Sequence, residues 1–179
     1  VKAVYDQKDT LTLTTEQTTL LDKKFKGFSR NGALLNEEDK LKLREIDTEL
    51  AKIKLTFGEN VLAETNNYQL HITNEADLKG LPDGAKEMAA SLAKSKNLKG
   101  WVFTLDFPSY LPFVTYVENR ELRKEIAIAA GKKSFQGNEF DNKENVKRIV
   151  ELRHKRANLL GYQSHSNFVL EERMAQNPE

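Results

Sequence analysis

The chain has 179 residues, 39% of them apolar and 31% charged, a balance that suits one globular segment with a core of its own rather than a disordered tail. Its 28 basic and 27 acidic side chains nearly cancel to +1, so no nucleic-acid partner is expected, and the short basic pairs Lys23-Lys24 and Lys132-Lys133 do not change that. Cysteine is missing, which excludes disulfides and thiol catalysis, and no run approaches the roughly 20 apolar residues of a membrane helix, so no membrane partner is expected.

Residues 1 to 13 show no clear period, although Leu11 and Leu13 suit a strand start or a helix entry. Thr14 and Gln17 have the spacing of a capping box, and Leu20, Leu21, Phe25 and Phe28 behind them suit one helix face. Ser29-Arg30-Asn31-Gly32 is a turn, and Asn36 with Asp39 marks the next helix start. In that helix Leu43, Ile46, Leu50, Ile53, Phe57 and Val61 alternate spacings of three and four, a stripe that packs antiparallel in a helical hairpin or bundle.

Tyr68 to Thr73 alternates like a half-buried strand. Leu81-Pro82-Asp83-Gly84 then breaks the chain before a modest helix carrying Ala85, Met88, Ala89 and Leu92. Trp101 to Phe107 is the strongest strand, with Trp101, Phe103, Leu105 and Phe107 expected on one face. Strand, helix, strand predicts a parallel pair joined by a crossover.

Ser109 is placed to cap a long helix whose first turn tolerates Pro112. Phe113, Val117, Leu122, Ile126 and Ala129 or Ala130 form its apolar side, with a change of phase near Asn119. Asp141 or Asn142 caps a last long helix with Val146, Ile149, Val150, Ala157 and Leu160 inward, closed by a left-handed Gly161. The fold class expected is therefore mainly α: an antiparallel helical hairpin or bundle with a small β element of two short strands, near 68–73 and 101–107. Residues 1–179 read as one segment.

Chemistry is sparse. The histidines His71, His154 and His165 show no paired helical spacing of the kind that holds a metal. His71 reads as a side chain on the polar side of its strand, His154 as a solvated one on a charged helix face, and His165 as part of a turn after the cap Ser164. Glu37-Glu38-Asp39 and Glu171-Glu172 are neighbours in sequence, and side chains at i and i+1 of a helix do not face each other, so they make poor acid–base pairs. Arg120, Arg123 and Arg153 suit structural ion pairs. No residue is assigned as catalytic or as a metal ligand, and substrate-binding residues are left unassigned.

The order of several short marks carries more information than any one of them. Arg44-Glu45-Ile46, Phe57-Gly58-Glu59-Asn60, Leu78-Lys79-Gly80-Leu81-Pro82 and Phe107-Pro108 lead to Leu159-Leu160-Gly161-Tyr162, a Ser-His turn, Phe168-Val169-Leu170 and Met174-Ala175. From about Leu34 onward this order resembles the thimet oligopeptidase family of zinc metallopeptidases, with its oligopeptidase A and peptidyl-dipeptidase members, and leans toward bacterial peptidyl-dipeptidase. Ser166 departs from the alanine of relatives, and the family's H-E-F-G-H motif and substrate loop are not in this sequence.

The resemblance implies a non-catalytic stretch preceding the zinc domain, one wall of a channel that admits short peptides. It implies zinc in the longer parent enzyme and none in this fragment, and, as partners, short peptides and the remaining catalytic domain of the same chain. The fragment alone is expected to be inactive and to self-associate through faces the parent would cover. A self-contained helical interaction module is the alternative. No signal peptide is visible, but the sequence begins at Val1 without an initiator Met, so that says little about localisation; a cytoplasmic location is favoured, with a periplasmic one as the alternative.

Overall fold

A computed structural model describes residues 1–179. The protein is mainly α, as expected: eight α-helices and one two-stranded sheet. It divides into two compact units, the first made of 1–53 with 147–179 and the second of 54–146. No helix is long and apolar enough to cross a membrane.

In the first unit, α1 (Lys2–Tyr5), which no periodicity announces, lays Tyr5 flat on Phe25 of α2 (Thr15–Ser29) at 3.7 Å between ring centroids. The capping box at the start of α2 is present: the Gln17 backbone N–H donates to Thr14 Oγ1 (3.3 Å), and the Thr14 N–H donates to Gln17 Oε1 (3.0 Å). The helix ends at the expected turn. Gly32 has φ +85°, the Ala33 N–H reaches the Phe28 carbonyl and the Gly32 N–H that of Ser29, the two bonds of a Schellman closure.

Asn36 Oδ1 then accepts from the Asp39 N–H (2.8 Å) and starts α3 (Glu37–Asn67), a 31-residue helix that contributes to both units. Within the first unit, α3 buries Leu43 and Leu50, whereas α2 buries nothing and leaves Leu20 and Phe28 in solvent. Side chains from α7 (Lys143–Leu159) reach α3 instead: Arg148 forks onto Glu49 at 2.6 and 2.8 Å, and Arg156 meets Asp47 at 2.7 Å. Leu152 and Ala157 are buried, while Val146 and Val150, both placed inward by the sequence reading, are exposed.

The helix α7 ends with a second Schellman closure. Tyr162 N–H bonds to the Ala157 carbonyl and Gly161 N–H to that of Asn158, both at 2.9 Å, around Gly161 at φ +86°. Ser164 caps α8 (His165–Leu170) by accepting from the Asn167 N–H at 3.2 Å.

The second unit holds the main core. β1 (Leu70–Ile72) pairs with β2 (Trp101–Phe103) in antiparallel register, Leu70 opposite Phe103 and Ile72 opposite Trp101. This corrects the parallel expectation. The connection carries α4 (Asp83–Ser95), but the chain re-enters the sheet at the end where it left, with Ile72 opposite Trp101, so no crossover forms. Both α4 and α5 (Phe107–Tyr116) pack on β2, which buries Val102 as well as Phe103 and erases the expected alternation.

The strand also stops early. Asp106 takes the N-cap position and Pro108 stands in the first turn of α5, so Phe107 begins a helix and is 71% exposed. Ser109 lies inside α5 rather than capping it, its Oγ accepting from the Thr104 N–H (3.0 Å), and Pro112 falls beyond the first turn. Asn119 does mark the break, its side chain receiving the Glu121 and Leu122 N–H groups at the start of α6 (Arg120–Gly131). Phe103 and Phe113 meet at 4.5 Å in the core, with Leu78, Val117 and Ile126 around them.

Candidate functional site

The three histidines stand on three different elements. His71 is exposed on β1, its Nε2–H donating to the Lys99 carbonyl at 2.7 Å. His154 is exposed on α7, as expected. His165 opens α8 and lies beside the Phe168 ring. Its partial burial, then the nearby Arg153 and Arg156 cations, push the imidazole below its ordinary pKa and keep it neutral at pH 7. No three His, Cys, Asp or Glu side chains come together in a group that could hold a metal ion. The residues of this chain therefore do not fit the zinc that the resemblance implies for the longer enzyme.

The acidic runs are occupied individually. Glu37 pairs with Lys40, and Glu38 and Asp39 with Lys42, all on the exposed first turns of α3. Arg123 donates from Nη1 to the Val117 and Glu118 carbonyls and so closes the end of α5, while Arg120 and Arg153 are exposed.

Two polar centres are better built than any of these. In the first unit Arg30, only 13% exposed at its side chain, donates to Phe168 O (2.5 Å) and to Tyr162 Oη (3.1 Å), pairs with Glu171 and stacks over the Phe168 ring at 4.2 Å. Tyr162 in turn donates to Glu171 (2.7 Å), and Lys26 pairs with Glu172. This arrangement binds α8 to the end of α2. Its members stay saturated by one another, which suits anchoring rather than chemistry.

In the second unit Glu64 is 7% exposed near the end of α3. Its Oε2 accepts from the Ser134 N–H (2.7 Å) and Gln136 Nε2 (3.1 Å), and its Oε1 from Asn138 Nδ2. Burial alone would raise this carboxyl. The bonds from Asn138, Ser134 and Gln136 outweigh it and hold the group below its ordinary pKa, with Asp141 acting weakly against them. Asn142 extends the network, its Nδ2 donating to the Phe57 carbonyl and its Oδ1 accepting from Asn60. The loop from 132 to 142 is thereby tied to α3.

Sequence reading passed over both centres. Arg30 counted only as a turn residue. Glu64 had a signal: Leu43, Leu50, Phe57 and Glu64 follow one another at intervals of seven, so a carboxylate occupies the position where the stripe of α3 should continue. A charge at such a position implies dedicated partners.

Residues 113–179 match the model of peptidase family M3. Oligopeptidase A of Haemophilus influenzae is 37% identical over 91% of this chain, and that of Escherichia coli 36% identical over 94%. Dipeptidyl carboxypeptidase of Escherichia coli is 28% identical over the whole chain. These identities reverse the expected leaning toward peptidyl-dipeptidase, and the likeness extends upstream of Leu34. The chain spans about a quarter of the length of these relatives. It belongs to peptidase family M3, the group of thimet oligopeptidase, oligopeptidase A and peptidyl-dipeptidase.

Proposed function

We propose that residues 1–179 form a non-catalytic, channel-wall part of a zinc-dependent oligopeptidase or peptidyl-dipeptidase that hydrolyses short peptides. The observation that carries this reading is the alignment of nearly the whole chain with one quarter of the oligopeptidase A sequences, in a stretch with no three convergent metal-ligating side chains. Three or four convergent ligands are what catalytic zinc requires. Further support comes from large apolar side chains left in solvent, Phe107, Leu55, Leu62 and Phe28 among them, which the remainder of a larger enzyme would cover.

In this reading the chain supplies shape. The core around Phe103 and Phe113 keeps the second unit rigid, and the Arg30 centre fixes α8 where the polypeptide leads toward the catalytic domain. The zinc, its ligands and the general base belong to that domain. The test is the reading frame that encodes this chain: an H-E-x-x-H motif downstream in the same frame is expected, and a stop codon directly after Glu179 would contradict the reading.

A further inference from the structure

The Glu64 centre borders a cavity of about 260 Å³ within the second unit, and its walls have two chemistries. Leu105, Ala129 and Phe140 are apolar; Glu64 and Tyr68 are polar and lie one helical turn apart, Glu64 on α3 and Tyr68 just past its end. That volume equals roughly nine waters at about 30 Å³ each, enough for a small organic group.

Two features there are unfinished. The three donors to Glu64 are all neutral, two amide side chains and one backbone N–H, and no Lys, Arg or His pairs with it. A carboxylate offers about four lone-pair sites, so one on Oε1 is left over. The Tyr68 hydroxyl is buried without a hydrogen-bond partner. Burial, helped by the Glu125 charge, pushes this phenol up to about 12, so it stays protonated. Both charges that bear on the cavity from nearby, Asp141 on Glu64 and Glu125 on Tyr68, are also negative.

An ionised carboxylate out of water with no counter-cation is costly, and a cation brought to it recovers part of that cost. Hydrogen-bond donors would complete the free lone pair of Glu64 and occupy the lone pairs of the Tyr68 hydroxyl. Aromatic walls, here Tyr68 and Phe140, also attract cations through their ring faces.

We propose that this cavity is a binding site for a primary ammonium group on a short alkyl chain, with the ammonium at Glu64 and Tyr68 and the chain against Leu105, Ala129 and Phe140. The group can come from a lysine side chain or from the amino terminus of a peptide. The site is built within one unit of this chain and does not depend on the peptidase reading.

The experiment is a calorimetric titration of the 179-residue chain with n-butylammonium, and with n-butanol as the neutral probe of equal size. Butylammonium should bind at least tenfold more tightly than butanol. Tyr68→Phe should weaken it several-fold without disturbing the fold, and Ala129→Leu should block both probes. Glu64→Gln should abolish the preference for charge; if that variant fails to fold, Tyr68→Phe still decides. Nα-acetyl-lysine methylamide and triglycine amide separate the two sources of the group. Equal affinity for butylammonium and butanol, no binding of either, or an unchanged affinity in Tyr68→Phe would overturn the proposal and leave the cavity to water.

Discussion

The two units are of similar length and are held together by different physics. Twelve of the sixteen buried apolar residues belong to the second unit, most of them in one cluster around Phe103, Phe113, Leu78 and Ile126. The first unit buries only Leu43, Leu50, Leu152 and Ala157, and its helices are joined by Arg148–Glu49, Arg156–Asp47 and the Arg30 centre. Apolar burial is non-directional and sums with area, whereas bridging side chains contribute modestly and only in fixed geometry. The second unit thus has an apolar core of its own, while the first spans its distances with long charged arms and leaves α2 without a buried residue.

The sharpest way to break this contrast is Phe113→Ala. The side chain is fully buried, and its removal should cost about 3–5 kcal/mol in a urea unfolding experiment. A loss below about 1 kcal/mol would mean that the cluster collapses around the gap or is not the core.

Arg30→Ala probes the other kind of construction. Losing two hydrogen bonds and an ion pair from a largely buried guanidinium should cost about 2 kcal/mol. Amide exchange should quicken in residues 165–171 and remain unchanged in β1 and β2. Unaltered exchange in α8 would show that the clamp does not hold it.

Gly161→Val is expected to be smaller, about 1–2 kcal/mol. A Cβ at Gly161 would meet nothing within 4 Å, so the cost is that of the left-handed backbone alone. Gly161→Asn should therefore recover much of the loss, since Asn tolerates that conformation. Equal losses for Val and Asn would point to a steric cause instead.

The smallest effect concerns acid. The Glu64 carboxyl is held below its ordinary value, so its contribution to stability is complete above the unfolded carboxyl range near about pH 4.3 and fades as pH falls through the lower folded value. Melting curves of Glu64→Gln and of the parent chain should differ at pH 7 and converge on acidification. A constant gap would remove Glu64 from the acid response.

What could be read from sequence tracks this same division. Helix ends were legible at the Thr14–Gln17 box, the Asn36 cap and the Gly32 and Gly161 closures, because each is decided by residues a few positions apart. The inward residues of α6 were legible too. The antiparallel pairing of β1 with β2 was not, since the direction of a strand is set by how α4 and α5 pack on it and not by its own alternation. On α7 Ala157 was legible as an inward residue, whereas Leu152 was missed and Val146 and Val150 are exposed; its partners Glu49 and Asp47 lie far away in sequence. The Arg30 centre joins residues more than 130 positions apart and leaves no local trace. Glu64 did leave one, a charge in the heptad after Leu43, Leu50 and Phe57.

On the proposed function, these 179 residues shape a peptidase without containing its chemistry. The direct measurement compares the chain with its longer parent, side by side, on a quenched short peptide, with the zinc content of each determined after dialysis. Chelator-sensitive hydrolysis and one retained zinc are expected for the parent, and neither for the chain. Hydrolysis by the chain itself, or one zinc held per chain, would contradict the account.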